Sequence, residues 1–226
     1  MQQLLTAHLP DQRLWVPALW QNPGRKQWIW HPPGPMRRLI VPLVVVGLTI
    51  AVVVGVLQAG TAEEGGRTVD PAEARQRLAG APAPLAALHE QGSQLLGGGP
   101  SAFERRLEAL RGYPVVVNKW GSWCGPCRAE FPLLARQAVK HGKRVAFLGL
   151  DVEDGRGPAE EFLAEAPVPY PSYEDPDGQA AAELGIPKIA TPTTVFIDSR
   201  GKVVERHFGQ YRREAELEAE IERFAR

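Results

Sequence analysis

The sequence predicts an α/β domain, a central mixed sheet flanked by helices, preceded by a single transmembrane helix. Three observations predict it. PVVVNKW from Pro114 and RVAFLGLD from Arg144 are near-continuous apolar runs, as expected of strands covered on both faces. The segment between them carries Phe131, Leu134, Ala135, Ala138 and Val139 at helical spacing, so strand, helix and strand make a right-handed parallel crossover. TTVFID and KVVERHF, joined by Ser199-Arg200-Gly201, then read as an antiparallel hairpin.

Ahead of this domain the chain changes character. Its 26 basic and 26 acidic residues balance, which argues against a nucleic-acid partner. The balance hides an uneven spread: residues 1–38, read as a cytoplasmic segment, carry Arg13, Arg25, Lys26, Arg37 and Arg38 against Asp11 alone. Leu39 to Leu57, LIVPLVVVGLTIAVVVGVL, follows without a charge and without the polar stripe of a buried core helix. As a helix it would rise roughly 28 Å, enough to cross a hydrocarbon core of ~30 Å. Positive charge before it, with Glu63, Glu64 and Asp70 beyond, puts the N-terminus in the cytoplasm and everything after residue 58 on the extracytoplasmic side of the cell membrane. A cleaved signal peptide is the competing reading. Its apolar region runs about 7–15 residues, and Leu57-Gln58-Ala59 fits a cleavage site poorly, so a permanent single-pass anchor is preferred. Residues 1–35 hold Trp15, Trp20, Trp28 and Trp30 with no sustained period, while MRRLIVPLVVV from Met36 reads as a natural start. The expectation is that Met36 is the initiator and residues 1–35 an upstream extension.

Residues 58–83 form a linker of polar and small residues, with a helix start at Asp70, Pro71 and Glu73. The domain proper is read over 84–226. Two helices are expected first, over 84–96 and 101–111, split by Gly97-Gly98-Gly99-Pro100. Ser101 with Glu104 makes a capping box for the second, whose buried stripe is Phe103, Leu107 and Leu110. After PVVVNKW the helix from Cys124 to about Lys140 is ended by Gly142, and Pro132 should kink it. Beyond RVAFLGLD come a helix near Pro158–Ala166, a proline-rich stretch around APVPYPSY, a DPDG turn, a short helix and the hairpin. REAELEAEIERFAR closes the chain as a helix burying Leu217, Ile221 and Phe224. No internal repeat is evident.

The chemistry lies in WGSWCGPCRAEFP, which contains Cys124 and Cys127, the only 2 cysteines. A zinc site needs four ligands, and there is no second Cys pair. Covalent haem needs His after the second Cys, where Arg128 stands. A structural disulfide would close a very short loop and constrain little, and a buried thiol pair fits poorly at a junction beside Gly125 and Pro126. No metal or cofactor is implied. A reactive pair fits better. Cys124 falls at the helix N-terminus, where unpaired N–H groups and the helix dipole stabilise a thiolate. Cys127 lies one turn inside, close enough to close a redox-active disulfide. Cys124 would attack a partner disulfide and Cys127 would resolve the mixed disulfide.

WCGPC after a buried strand, the later TPTTVFID and a hairpin with Gly201 resemble the thioredoxin-like fold. The fuller VVVNKWGSWCGPCRAEFP is similar to the TlpA/ResA branch, extracytoplasmic and often membrane-tethered thiol-disulfide oxidoreductases; the match spans roughly residues 113–225. The resemblance implies that Thr191–Pro192 is a cis peptide packed against the cysteines, and that Thr191 and Pro192 form a platform beside which a substrate backbone pairs. It also implies that Trp123, with Trp120 or without it, forms an apolar collar that meets substrate. Glu130 matches the acidic residue of the ResA-type pattern and is expected to exchange protons with Cys127, an ordinary surface glutamate being the alternative. Asn118 and Phe147 stand where thioredoxin has a buried aspartate and a buried lysine, so that proton route is missing. The N-terminal hairpin usual in TlpA-like proteins is not evident.

The resemblance implies a reductase of disulfides in exported proteins, apocytochrome c being the family's best-known case. Its electrons would come through a membrane thiol carrier of the CcdA/DsbD type. The Gly-Pro pair between the cysteines matches thioredoxin's and leans reducing. A disulfide-forming oxidase and a non-catalytic binding module are the alternatives. Reduction potential separates the first, and thiol dependence the second.

Overall fold

The computed structural model describes residues 44–49 and 68–225. The chain divides into two compact units, residues 1–55 and 56–226. In the first, only the helical stretch Val44–Thr49 (α1) is described. Among the described residues no helix is long and apolar enough to cross a membrane. The rest of the segment read as an anchor, residues 1–38 and the Met36 start lie outside the described residues.

The second unit runs α2 (Pro71–Leu78), α3 (Ala83–Glu90), β1 (Leu95–Leu96), α4 (Gly99–Ala109), β2 (Val115–Trp120), α5 (Gly125–His141), β3 (Ala146–Val152), α6 (Arg156–Glu165), β4 (Ser172–Asp175), α7 (Gln179–Glu183), β5 (Thr193–Ile197), β6 (Val203–Phe208) and α8 (Glu214–Phe224). One sheet of order β1-β4-β3-β2-β5-β6 holds every strand among the described residues. The pairs from β1 to β2 are parallel, while β5 and β6 run antiparallel to their neighbours, so the sheet is mixed as expected.

Central β2 is buried along its whole length, and its side chains alternate between two cores. Val116 and Trp120 join Phe131 and Leu134 of α5 with Leu217 and Ile221 of α8. Val115 and Val117 join Leu88, Phe103, Ala180 and Ala181 on the other face. By the same alternation Asn118 and Lys119 point in opposite directions. Gly149 on β3 makes room for this arrangement. A Cβ there would lie 2.0 Å from Ser172 Oγ and 2.8 Å from Trp120 Nε1, the two atoms that hydrogen-bond at 3.1 Å across it.

Several expectations are corrected. The helix read over 84–96 stops at Glu90, and Leu95–Leu96 instead pair with Ser172 and Tyr173. Between them Ser93 takes a positive φ of 57°, its N–H bonds Tyr170 O, and its hydroxyl accepts from Val168 N. The proline-rich stretch leads into strand β4. Ser101 caps nothing. Gly98, at φ 101°, is the N-cap, and Pro100 in the first turn starts α4 before the serine is reached. Elsewhere the local signals act as read. Asp70 accepts from Ala72 N and Glu73 N, and α5 begins after Cys124 and ends at Gly142, running through Pro132. In α8, Leu217 and Ile221 are buried, while Phe224 is half-buried against Phe196.

Candidate active site

β2 ends at Trp120, and the chain turns through Gly121-Ser122-Trp123 into α5. This turn is fixed from the side. Ser122 N–H donates to Asp154 Oδ2, just beyond β3, and Trp123 Nε1 donates to Val152 O, at the end of β3, at 3.3 Å. Glycine at 121 leaves room for the indole of Trp123, whose Nε1 a Cβ there would meet at 2.5 Å unless the ring shifted. Beneath the turn Trp120 is fully buried, 5.1 Å from Phe131 and 5.4 Å from Phe162 between ring centres. It belongs to the core. Trp123 alone of the two is at the surface, 55% exposed.

Cys124 is the N-cap of α5 and is joined to Cys127 by a disulfide, Cα to Cα 5.3 Å. Cys127 N–H points at Cys124 Sγ, 3.2 Å away. An orphan amide of the first turn thus faces the sulfur that would carry charge after reduction. Cys127 has no exposure, and Cys124 retains 4%.

One turn beyond Cys127 on α5, Glu130 is wholly buried rather than on the helix surface. Its Oε1 accepts from Asn118 Nδ2 at 2.9 Å and its Oε2 from Tyr211 N at 3.0 Å. Burial outweighs both hydrogen bonds and pushes its carboxyl up to about 7. The amide oxygen of Asn118 and the hydroxyl of Tyr170 have no partner among the described atoms.

Thr191–Pro192 is cis. It enters β5, whose first residue Thr193 pairs with Lys119 near the end of β2, so the peptide sits at the same end of the sheet as the cysteines. Pro192 O accepts from Gly209 N at 3.0 Å, and Thr191 Oγ1 is buried without a partner among the described atoms. The site therefore gathers Cys124, Cys127 and Glu130 on one helix, Trp123 on the turn before it, and Thr191 and Pro192 from the far side of β2.

The sequence pattern of the AhpC/TSA family matches residues 83–206. The chain belongs to the AhpC/TSA family. Relatives agree with the thioredoxin-like resemblance drawn from WCGPC. Thiol:disulfide interchange protein DsbE of Xylella fastidiosa is 33% identical over 177 residues, covering 76% of this chain and 81% of that one. Its namesake from Escherichia coli is 33% identical over 141 residues, covering 62% and 70%. Among solved structures, MTB DsbF superposes on 52% of this chain and 85% of that chain, with 28% identity and a TM-score of 0.48. Like the DsbE proteins of Xylella fastidiosa and Escherichia coli, this AhpC/TSA-family protein is a thiol–disulfide oxidoreductase.

Two of the buried charged groups that escaped the sequence reading lie near the site. Lys119 sits in β2 with 1% exposure, and Asp151 is the penultimate residue of β3 with 3%. Burial, then the charge of Asp154 and a hydrogen bond with it, push the Asp151 carboxyl up to about 8. Asp154 in turn holds Ser122, so this pair lies directly behind the active-site turn. A lysine inside an otherwise apolar strand was a visible signal. The pairing of Asp151 with Asp154 was not, because it depends on how the chain leaves β3.

Proposed function

We propose that this oxidoreductase is membrane-anchored through residues 39–57 and works on the extracytoplasmic side, reducing disulfides in exported proteins, apocytochrome c among them. The observation that carries the redox reading is the Cys124–Cys127 disulfide at the start of α5, with Cys127 N–H aimed at Cys124 Sγ. In the reduced state Cys124 thiolate attacks one sulfur of a substrate disulfide, and the other sulfur leaves as a thiolate. Cys127 then gives its proton to Glu130 and attacks Cys124 Sγ. The mixed disulfide breaks, the Cys124–Cys127 bond forms, and the substrate has gained two electrons. A carboxyl poised near 7 can take that proton and later release it. Thr191 and Pro192 receive the substrate backbone, with Trp123 beside them. Two electrons from a membrane thiol carrier of the CcdA/DsbD type regenerate the dithiol.

The deciding experiment is the reduction potential of the Cys124–Cys127 couple, equilibrated against thiol buffers and read by tryptophan fluorescence. A value below about −230 mV is expected, on the side of thioredoxin at about −270 mV. A value near the −120 mV or so of DsbA would replace reduction by oxidation as the function. Insulin reduction by the wild type, lost in Cys124→Ser, checks thiol dependence against mere docking.

A further inference from the structure

Lys119 is the one charged residue of β2, and its side chain runs on the face opposite α5. Its Nζ donates to the carbonyls of Pro187 at 3.1 Å, Lys188 at 2.8 Å and Ala190 at 3.2 Å. All three ammonium hydrogens are used, as a buried lysine requires. The accepting carbonyls belong to one turn, closed by Ala190 N to Pro187 O at 3.0 Å. Ala190 O also accepts from Thr193 Oγ1 at 2.8 Å. The turn runs straight into the cis Thr191–Pro192 peptide.

What the turn displays is unusual. Ile189 at its tip is 96% exposed. An isoleucine gains nothing from such a position in the isolated chain, and it belongs to the class of residue that contacts partners when set beside other apolar side chains. Its loop is tied to the segment after β3 by Lys188 Nζ and Glu153 Oε1, 3.3 Å apart. The indole of half-exposed Trp123 is bonded to Val152 O, the residue before Glu153. Two exposed apolar side chains are thus tied to adjacent residues at the cysteine end of the sheet, and the tie to the core on the Ile189 side is the ammonium of Lys119.

We propose that Lys119 is a positioning residue for polypeptide disulfides: by holding the 187–190 turn from inside the sheet, it fixes Ile189 and Pro192 to receive an apolar side chain flanking the partner's disulfide. The inference rests on the thiol–disulfide reading above. A small disulfide has no flanking side chain and does not use the turn.

Lys119→Met keeps the aliphatic stem and removes the ammonium. In the full chain, rate constants would be measured for a peptide disulfide flanked by leucine and for a small aromatic disulfide. Their ratio, peptide over small disulfide, is expected to fall about tenfold through lost preorganisation. An unchanged ratio would overturn the proposal, whatever the absolute rates. Wild-type turnover of the small disulfide, abolished by Cys124→Ser, tests the underlying reading separately; an inert wild type would sink that reading and this inference together. Should Lys119→Met fail to fold, the unmutated lysine can be watched by NMR in the Cys127→Ser chain. Capture of the leucine-flanked peptide on Cys124 should shift a slowly exchanging ammonium signal, and a signal that does not move would refute the role.

Discussion

Glu130 and Lys119 lie on opposite sides of β2, both shut away from solvent, and the fold holds them in opposite ways. Burial lowers the Lys119 pKa, partly opposed by the charges of Glu153 and Asp175, and its three donors are committed to three carbonyl acceptors. Glu130 receives two neutral N–H groups and no cation, too little to offset burial, and its carboxyl rests at about 7. A group with every hydrogen committed holds other atoms in place. A group left nearly balanced between its two protonation states can pass a proton.

The comparison is most exposed to test in the resolving step. Glu130→Gln should slow the attack of Cys127 on the mixed disulfide by about a thousandfold, within the usual range for a lost acid–base group. Glutamine can be accommodated if Asn118 turns its unpartnered oxygen toward the new amide. Rapid-mixing decay of a mixed disulfide on Cys124 measures the step. Equal slowing in Lys119→Met would erase the distinction between the two groups.

Next in size is the dependence of stability on pH. The folded Glu130 carboxyl binds its proton more tightly than an unfolded one, so its contribution is full below about 4.5 and drains away as pH rises through about 7. At about 1.4 kcal/mol per pH unit, the loss for Glu130 is on the order of 3 kcal/mol. Asp151 acts in the same direction over a wider window, from about 3.8 up through about 8. Urea midpoints of the oxidised protein should therefore fall between about pH 5 and 8, through both groups up to about 7 and through Asp151 alone above it. Glu130→Gln should lessen the fall below about pH 7 only, and Asp151→Asn should lessen it throughout and leave little above about pH 7. A wild-type midpoint that stays level across this range would contradict both assignments.

How much of this was legible in the sequence follows from how local each feature is. Cys124 and Cys127 were legible because helix start, Gly-Pro and spacing are contained in a few residues. β2 and β3 were legible because burial on both faces leaves near-continuous apolar runs. Leu95–Leu96 was not, since a two-residue strand exists only through its pairing with Ser172 and Tyr173, far along the chain. Asp70 capped its helix as read, whereas Ser101 lost the same role to Gly98 and Pro100, which start the turn earlier. The cis bond before Pro192 came from family resemblance, as nothing in Thr-Pro itself specifies it. The burial of Glu130 needed Tyr211, which approaches from beyond β6.

Lys119→Met should also destabilise the fold, by about 2 kcal/mol at neutral pH, because three carbonyls lose the ammonium and only Pro187 O and Ala190 O keep another donor, from Ala190 N and Thr193 Oγ1. Calorimetry or urea titration would register it. A variant as stable as wild type would mean that the turn finds another donor, and that the ammonium is dispensable for holding it.

The smallest effect sharpens the comparison from within the turn itself, which is gripped by two lysines. Lys119 grips from the buried side and Lys188 from the exposed side, where its partner is Glu153, with side chains 68% and 36% accessible. An exposed pair gains little in water and is screened by salt, so Glu153→Gln should cost less than about 0.5 kcal/mol, and nothing at high ionic strength. The buried grip has no such escape, because water does not replace the three carbonyl contacts at 1% exposure. If Glu153→Gln destabilised the protein as much as Lys119→Met, the turn would be held from outside, by charge pairing across two loops. The ammonium threaded through the sheet would then be following the turn's position instead of setting it.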